Sequence, residues 1–212
     1  MRSTRKPPTS RRKFLGPWDR LRYLYGKAFY WCLESSARGQ ARARGFSKQM
    51  STVLRELSGA HTSIRGREAL ALNAEIDKRW SDGVRHRKMV ITLIDRIRTI
   101  ADSEVPIARR AILRDFSPAK LADAWDLLAI SLYRAGYSRR AKNALLTSRE
   151  VCSTYDIPFR GASLLSEIET LRISRATCTD DALYRRMALI YHSFHSHASL
   201  EARLLGALAR DC

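Results

Sequence analysis

Acid is the scarce component of this chain. Only 21 Asp and Glu stand against 39 Lys and Arg, which leaves a formal charge of +18 over 212 residues. The deficit is uneven: residues 1–60 carry a net +11, residues 61–120 carry +5 and residues 121–212 carry +2. Such asymmetry favours a polyanionic partner, whether nucleic acid, an acidic protein face or an anionic membrane surface. Lysine is scarce too, with 8 against 31 Arg. Arginine grips phosphate and carboxylate bidentately and stacks on aromatic rings. A genome rich in Arg codons would produce the same bias.

Further absences narrow the class. No apolar run approaches the roughly 20 residues of a membrane-spanning helix, which excludes an integral membrane protein. The four cysteines, Cys32, Cys152, Cys178 and Cys212, are scattered without a CxxC pair. That spacing excludes a disulfide framework and points to a reducing compartment, the cytoplasm or an organelle matrix. No apolar segment follows the basic N-terminus, so a secretory leader is excluded. Alternation of period two is missing between turn signals, which excludes a β protein. No GxSxG, P-loop, GxGxxG or HExxH occurs, and Glu167 and Glu169 do not share a helix face. We therefore expect no enzyme, no catalytic residues and no cofactor. Helix-turn-helix and zinc-finger spacings are missing as well, so sequence-specific DNA reading is not indicated.

What is present is helical periodicity with strong punctuation. With 45% apolar residues, the chain has enough to bury a core. Residues 1–17 form a polar arm holding Arg2, Arg5, Lys6, Arg11, Arg12 and Lys13, expected to be disordered when free. An organellar transit segment is another reading of this arm, although Pro7 and Pro8 would spoil an amphipathic helix there.

From Trp18, apolar residues recur every three or four positions, with Leu21, Leu24, Tyr25, Ala28, Phe29 and Cys32 on one face and Gly39 as the stop. A second helix is expected over about 41–57. A third runs over 67–80 and ends at the turn signal Ser81-Asp82-Gly83, and a fourth covers 84–101. A short helix over 107–114 sits in the following link. Ser117-Pro118 opens a fifth helix that Gly136 stops, and Ser138 opens a sixth. Residues 161–209 complete the pattern. The elements pair as hairpins over about 18–57, 67–101, 118–153 and 161–209, so the expected fold is an all-α stack of antiparallel hairpins over residues 18–212.

In the third hairpin, Trp125, Leu128, Ala129, Tyr133, Gly136, Ala141 and Leu145 stand in a spaced pattern. Small residues at 129 and 141 allow close helix contact, and Gly136 permits a left-handed stop. On these residues the segment 122–151 resembles a tetratricopeptide repeat (TPR). Ser148 stands where that pattern has Ala, and the closing Pro is missing. The resemblance implies a right-handed α-solenoid whose first helices line a partner groove. The corresponding positions here are Asp123, Asp126, Ile130, Tyr133 and Arg134.

Two other constellations carry chemistry. His192, His195 and His197 share a short segment, but no second ligand pair has metal spacing, so no metal site is expected. The basic residues of the arm continue as Arg20, Arg22, Lys27, Arg38, Arg42, Arg44 and Lys48, with Arg85, Arg87 and Lys88 near the second turn. Tyr23, Tyr25, Tyr30 and Trp31 interleave with the first cluster, and aromatics beside Arg suit stacking on single-stranded RNA. Tyr25 and Trp31 are read as core, with Tyr23 and Tyr30 open.

The expected function is thus a scaffold or adaptor whose basic N-terminal third binds a polyanion, RNA foremost, within a larger assembly. A protein–protein adaptor that captures a partner segment in a helical groove, of the kind viruses and other pathogens encode as accessory proteins, is the alternative; there the charge only steers acidic partners. More remotely, the arm with Trp18, Leu21 and Leu24 would lie on an anionic membrane.

Overall fold

A computed structural model describes residues 16–33, 36–103, 117–162, 164–166 and 168, and these residues are helical with no strand among them. Among the described residues, the helices named here follow one another as α1 (Pro17–Cys32), α2 (Ala37–Glu56), α3 (Ile64–Ile76), α4 (Trp80–Ser103), α5 (Pro118–Arg134) and α6 (Ser138–Thr154). The N-terminal arm, the segment 107–114, the histidines 192, 195 and 197, and the fourth hairpin beyond 168 lie outside the described residues.

The helix starts follow local chemistry. Ser36, Ser63 and Ser117 each accept a hydrogen bond from the backbone N–H three residues on, satisfying a donor the first turn would otherwise leave orphaned. Pro17 and Pro118 occupy first-turn positions, where a missing N–H costs nothing.

The stops are alike in geometry but not in sequence. Gly136 has φ +86° and Lys78 has φ +60°. In both, the following N–H reaches back five residues, Tyr137 to the Leu132 carbonyl at 2.9 Å and Arg79 to the Ala74 carbonyl at 2.7 Å. The second turn therefore lies at 77–79, not at the expected 81–83. Trp80 begins α4, and Gly83 lies inside it. A Cβ on Gly83 would stand 3.0 Å from Glu75 Cγ, so this glycine serves close packing of α4 on α3. Gly39 is likewise not a stop; it is buried in the first turn of α2 and donates to Ser36 Oγ at 3.0 Å.

The pairs α1–α2, α3–α4 and α5–α6 pack most extensively, and α2–α3, α1–α3 and α4–α5 join one hairpin to the next. The pairs are antiparallel: Ser148, late in α6, donates to the carbonyl of Ala122, early in α5, at 3.1 Å. That bond also explains a serine at a fully buried position. The core runs through Leu21, Phe29, Met50, Val53, Leu72, Ile94, Leu128 and Leu145, with Ala129 and Ala141 fully buried. Burying each large apolar side chain contributes about 1.5–3 kcal/mol.

Polar bonds register one hairpin on the next. Asn73 of α3 accepts from Ser47 Oγ at 2.8 Å and donates to Ser51 Oγ at 2.9 Å, which ties α2 to α3. Arg87 of α4 holds Glu75 of α3 through Nε to Oε1 at 2.9 Å and Nη2 to Oε2 at 3.0 Å. Ser131 of α5 donates to the same Oε1 at 2.6 Å. Burial works against the Arg87 charge, but the Glu75 carboxylate and the Tyr25 phenol of α1 outweigh it and push its pKa up. Burial drives the Tyr25 phenol up in turn. This network joins the three described hairpins. Arg87 is 1% exposed, so it belongs to the interior and not to the surface cations with which its sequence position grouped it.

Candidate functional site

Helix α2 carries the clearest surface charge. Its buried residues Gly39, Ala43, Ser47, Met50, Val53 and Leu54 fall on one face. That spacing turns Arg38, Arg42, Arg44, Lys48 and Arg55 outward, and all five are exposed. The helix holds one acid, Glu56, at its last position. Ion pairs among the described residues link Arg79 to Asp77 and Asp82, Arg85 to Asp82, and Arg87 to Glu75. None reaches α2, so its positive face is not neutralised by an acidic partner among the described residues. The Ser47–Asn73–Ser51 bonds tie the inner side of α2 to α3 and leave this face outward.

Of the other expected polyanion ligands, Arg22 on α1 is exposed, and Arg20 and Lys27 are half-buried. Lys27 Nζ lies 5.8 Å from the Tyr23 ring centre. Arg2, Arg5, Lys6, Arg11, Arg12 and Lys13 lie outside the described residues. The structure thus brings Arg38, Arg42, Arg44 and Lys48 onto one helix, with the α1 cations on its neighbour.

The three hairpin turns meet at one end of the stack, each with an aromatic ring beneath an arginine. Arg42 lies 4.2 Å over Trp31, Arg134 lies 5.3 Å over Trp80, and Arg140 lies 5.2 Å over Tyr137. Each pair presents a planar cation on a planar ring. Trp31, expected in the core, is half-buried at the first turn, with Tyr30 against its edge at 5.1 Å. The exposed Arg42 lies over its indole face. Tyr23, Tyr25 and Tyr30 are half-buried and pack on the core.

Between the turns lies a half-open pocket of about 140 Å³. Leu72, Ile76 and Ile130 form its apolar wall, and Arg44 and Lys78 stand at its mouth. Glu75 and Ser131 contribute polar atoms, and Trp80 with Arg134 closes one side. Cys32 also lines it. Burial, reinforced by Glu75, pushes the Cys32 thiol up to about 12, so it is a neutral thiol and not a nucleophile.

The expected partner groove on α5 needs correction. Asp123, Asp126 and Ile130 were expected to be exposed, yet all three are buried; only Tyr133 and Arg134 are partly accessible. Gly161, after α6, lies against Asp126. A Cβ on Gly161 would come 3.1 Å from Asp126 Oδ1, which sets that carboxylate beside the helical segment starting at residue 162. A carboxylate is favoured beside a helix start, which suits Asp126 to this buried place. Ile130 faces the pocket between the turns instead. The remote membrane reading loses its apolar face as well, because Leu21 and Leu24 are buried in the core.

Sequence reasoning missed Lys78 and Tyr137, and it assigned Trp80 to the wrong helix. The signal available was an aromatic residue at or beside each hairpin turn. Among the described residues no cluster of His, Cys, Asp and Glu is placed to hold a metal ion, and no helix is long and apolar enough to cross a membrane. No protein-family model, curated protein or solved structure matches this chain.

Proposed function

We propose that this chain is a non-enzymatic α-helical scaffold that binds single-stranded RNA along α2 and across the three hairpin turns, within a larger assembly. The observation that carries this reading is the exposed face of Arg38, Arg42, Arg44, Lys48 and Arg55, which has no acidic partner among the described residues. Phosphates condense on such a face because their binding releases counterions. The Arg-capped rings at the turns favour single strands, since every base offers a stacking surface and a duplex hides it.

The succession of antiparallel hairpins, each packed on the next, supports a TPR-like right-handed solenoid for the architecture. The free thiols of Cys32 and Cys152 accord with a reducing compartment. The N-terminal arm adds its six cations to the same partner.

Charge reversal at Arg38, Arg42 and Lys48 tests the reading. These side chains are exposed, so the variant keeps the wild-type melting temperature. It should lose at least tenfold in affinity for an unstructured RNA oligonucleotide at moderate salt. Retained RNA affinity in the triple variant would remove α2 from the interface, and preferential binding of an acidic polypeptide would favour the adaptor reading.

A further inference from the structure

The pocket between the turns has a size and a chemistry that a plain polyanion site does not need. A cavity of about 150 Å³ lined by apolar side chains holds one benzene ring. At about 140 Å³ the space inside this half-open pocket matches a single six-membered ring better than a fused purine.

Its polar lining comprises the donors Gln40, Arg44, Lys78, Ser131 and Arg134 and one carboxylate, Glu75, and that carboxylate selects further. Glu75 accepts from Arg87 Nε and Ser131 Oγ on Oε1 and from Arg87 Nη2 on Oε2. A carboxylate offers about four lone-pair sites. Glu75 therefore keeps acceptor capacity, and it lines the pocket with 12% of its side chain accessible. An aliphatic side chain of a partner peptide would fill the volume but would desolvate that acceptor without giving it a donor. A base edge carrying an amino group supplies the donor, and a carboxylate is a known acceptor for the 4-amino group of cytosine. Uracil has a carbonyl oxygen at that place and would set it against the carboxylate.

We infer that this pocket binds a pyrimidine nucleotide, cytosine in preference to uracil, with the ring against Leu72, Ile76 and Ile130 and the phosphate on Arg44 and Lys78. The inference rests on the RNA-binding reading and refines it: the α2 face takes the strand without regard to sequence, and the pocket selects one base.

The test is a titration of the full chain with CMP, UMP, AMP, inorganic phosphate and an acidic peptide containing leucine, beside unstructured C-rich and A-rich RNA oligonucleotides. CMP should bind about tenfold more tightly than UMP, with AMP and phosphate weaker still. Lys78→Gly removes a mouth cation and relieves a left-handed backbone. It should keep or raise the melting temperature while weakening CMP several-fold. Ala43→Leu, which adds bulk at the pocket lining, should erase the preference for C-rich RNA and leave the α2-dependent affinity in place. Equal affinity for CMP and AMP, or displacement of CMP by the leucine peptide at equal concentration, would overturn the assignment. RNA binding with no CMP binding would refute the pocket and spare the α2 face. CMP binding with no RNA binding would uphold the pocket and refute the RNA reading.

Discussion

Arg87 reaches back across the second hairpin and grips Glu75 through two hydrogen bonds, at 2.9 and 3.0 Å, with its guanidinium almost wholly removed from water. Such a pair is costly to bury and more costly to break, because removing one partner strands the other charge. Replacing Arg87 with Met should destabilise the fold by about 3–5 kcal/mol, and Glu75→Leu alone should do comparable damage. The double variant, which removes both charges, should recover most of the loss. Urea unfolding of the four proteins in the cycle measures it, and additive losses would mean that the pair is not coupled.

His86 introduces a dependence on pH. Burial, helped by the neighbouring Arg67 and Arg85 charges, lowers its pKa to about 4 from 6.5. Arg67 Nη1 lies 3.0 Å from its Nδ1, which fits a neutral ring accepting there. Between about pH 4 and 6.5 the unfolded chain then binds more protons at this residue than the native one. Its contribution to stability is complete above pH 6.5 and is lost as the pH falls through that window. Melting curves at pH 7.5 and pH 5 should show a drop that His86→Gln reduces; an equal drop in both would assign the effect to other groups.

Gly66 is required by a close approach of backbone to backbone. A Cβ there would fall 1.9 Å from the Ala60 carbonyl oxygen, which no side-chain rotation relieves. Gly66→Ala should cost about 1–3 kcal/mol by overpacking. Wild-type stability in this variant would show that the 57–63 turn moves freely.

Gly136 and Lys78 occupy equivalent left-handed positions and should respond in opposite directions. Gly136→Val should lose about 1–3 kcal/mol to backbone strain. Lys78→Gly should gain about 0.5–1 kcal/mol, because glycine relieves the αL cost and returns part of it as chain entropy. Thermal denaturation of both variants decides it, and a destabilised Lys78→Gly would show that the lysine side chain packs more than its exposure suggests.

These positions also show what was legible in the sequence. Gly136 announced its turn because glycine is the usual residue at φ above zero. Lys78 did not, since a lysine in that conformation leaves no compositional mark. Ser81-Asp82-Gly83 has turn composition, yet Gly83 is there for close approach to Glu75, a tertiary demand invisible along the chain. The apolar stripes placed all three described hairpins within a few residues. Charge was the poorer guide to exposure: Asp123, Asp126 and Arg87 read as surface residues and are buried, because elements distant in sequence cover them. On α2 the same inference succeeded, since among the described residues nothing buries its outer face. The pocket was not readable, as residues from five helices and the 77–79 turn build it.

The most direct test of the account is the salt dependence of binding to single-stranded RNA, duplex DNA and an acidic polypeptide, in wild type and in the Arg38, Arg42 and Lys48 charge-reversal variant. Each phosphate contact contributes about −0.7 to the log–log slope on a single strand. The account predicts tightest binding to single-stranded RNA, a wild-type slope steeper than about −3, and a variant slope shallower by about 2. Indistinguishable affinities for the three ligands, or an unchanged slope in the variant, would contradict it.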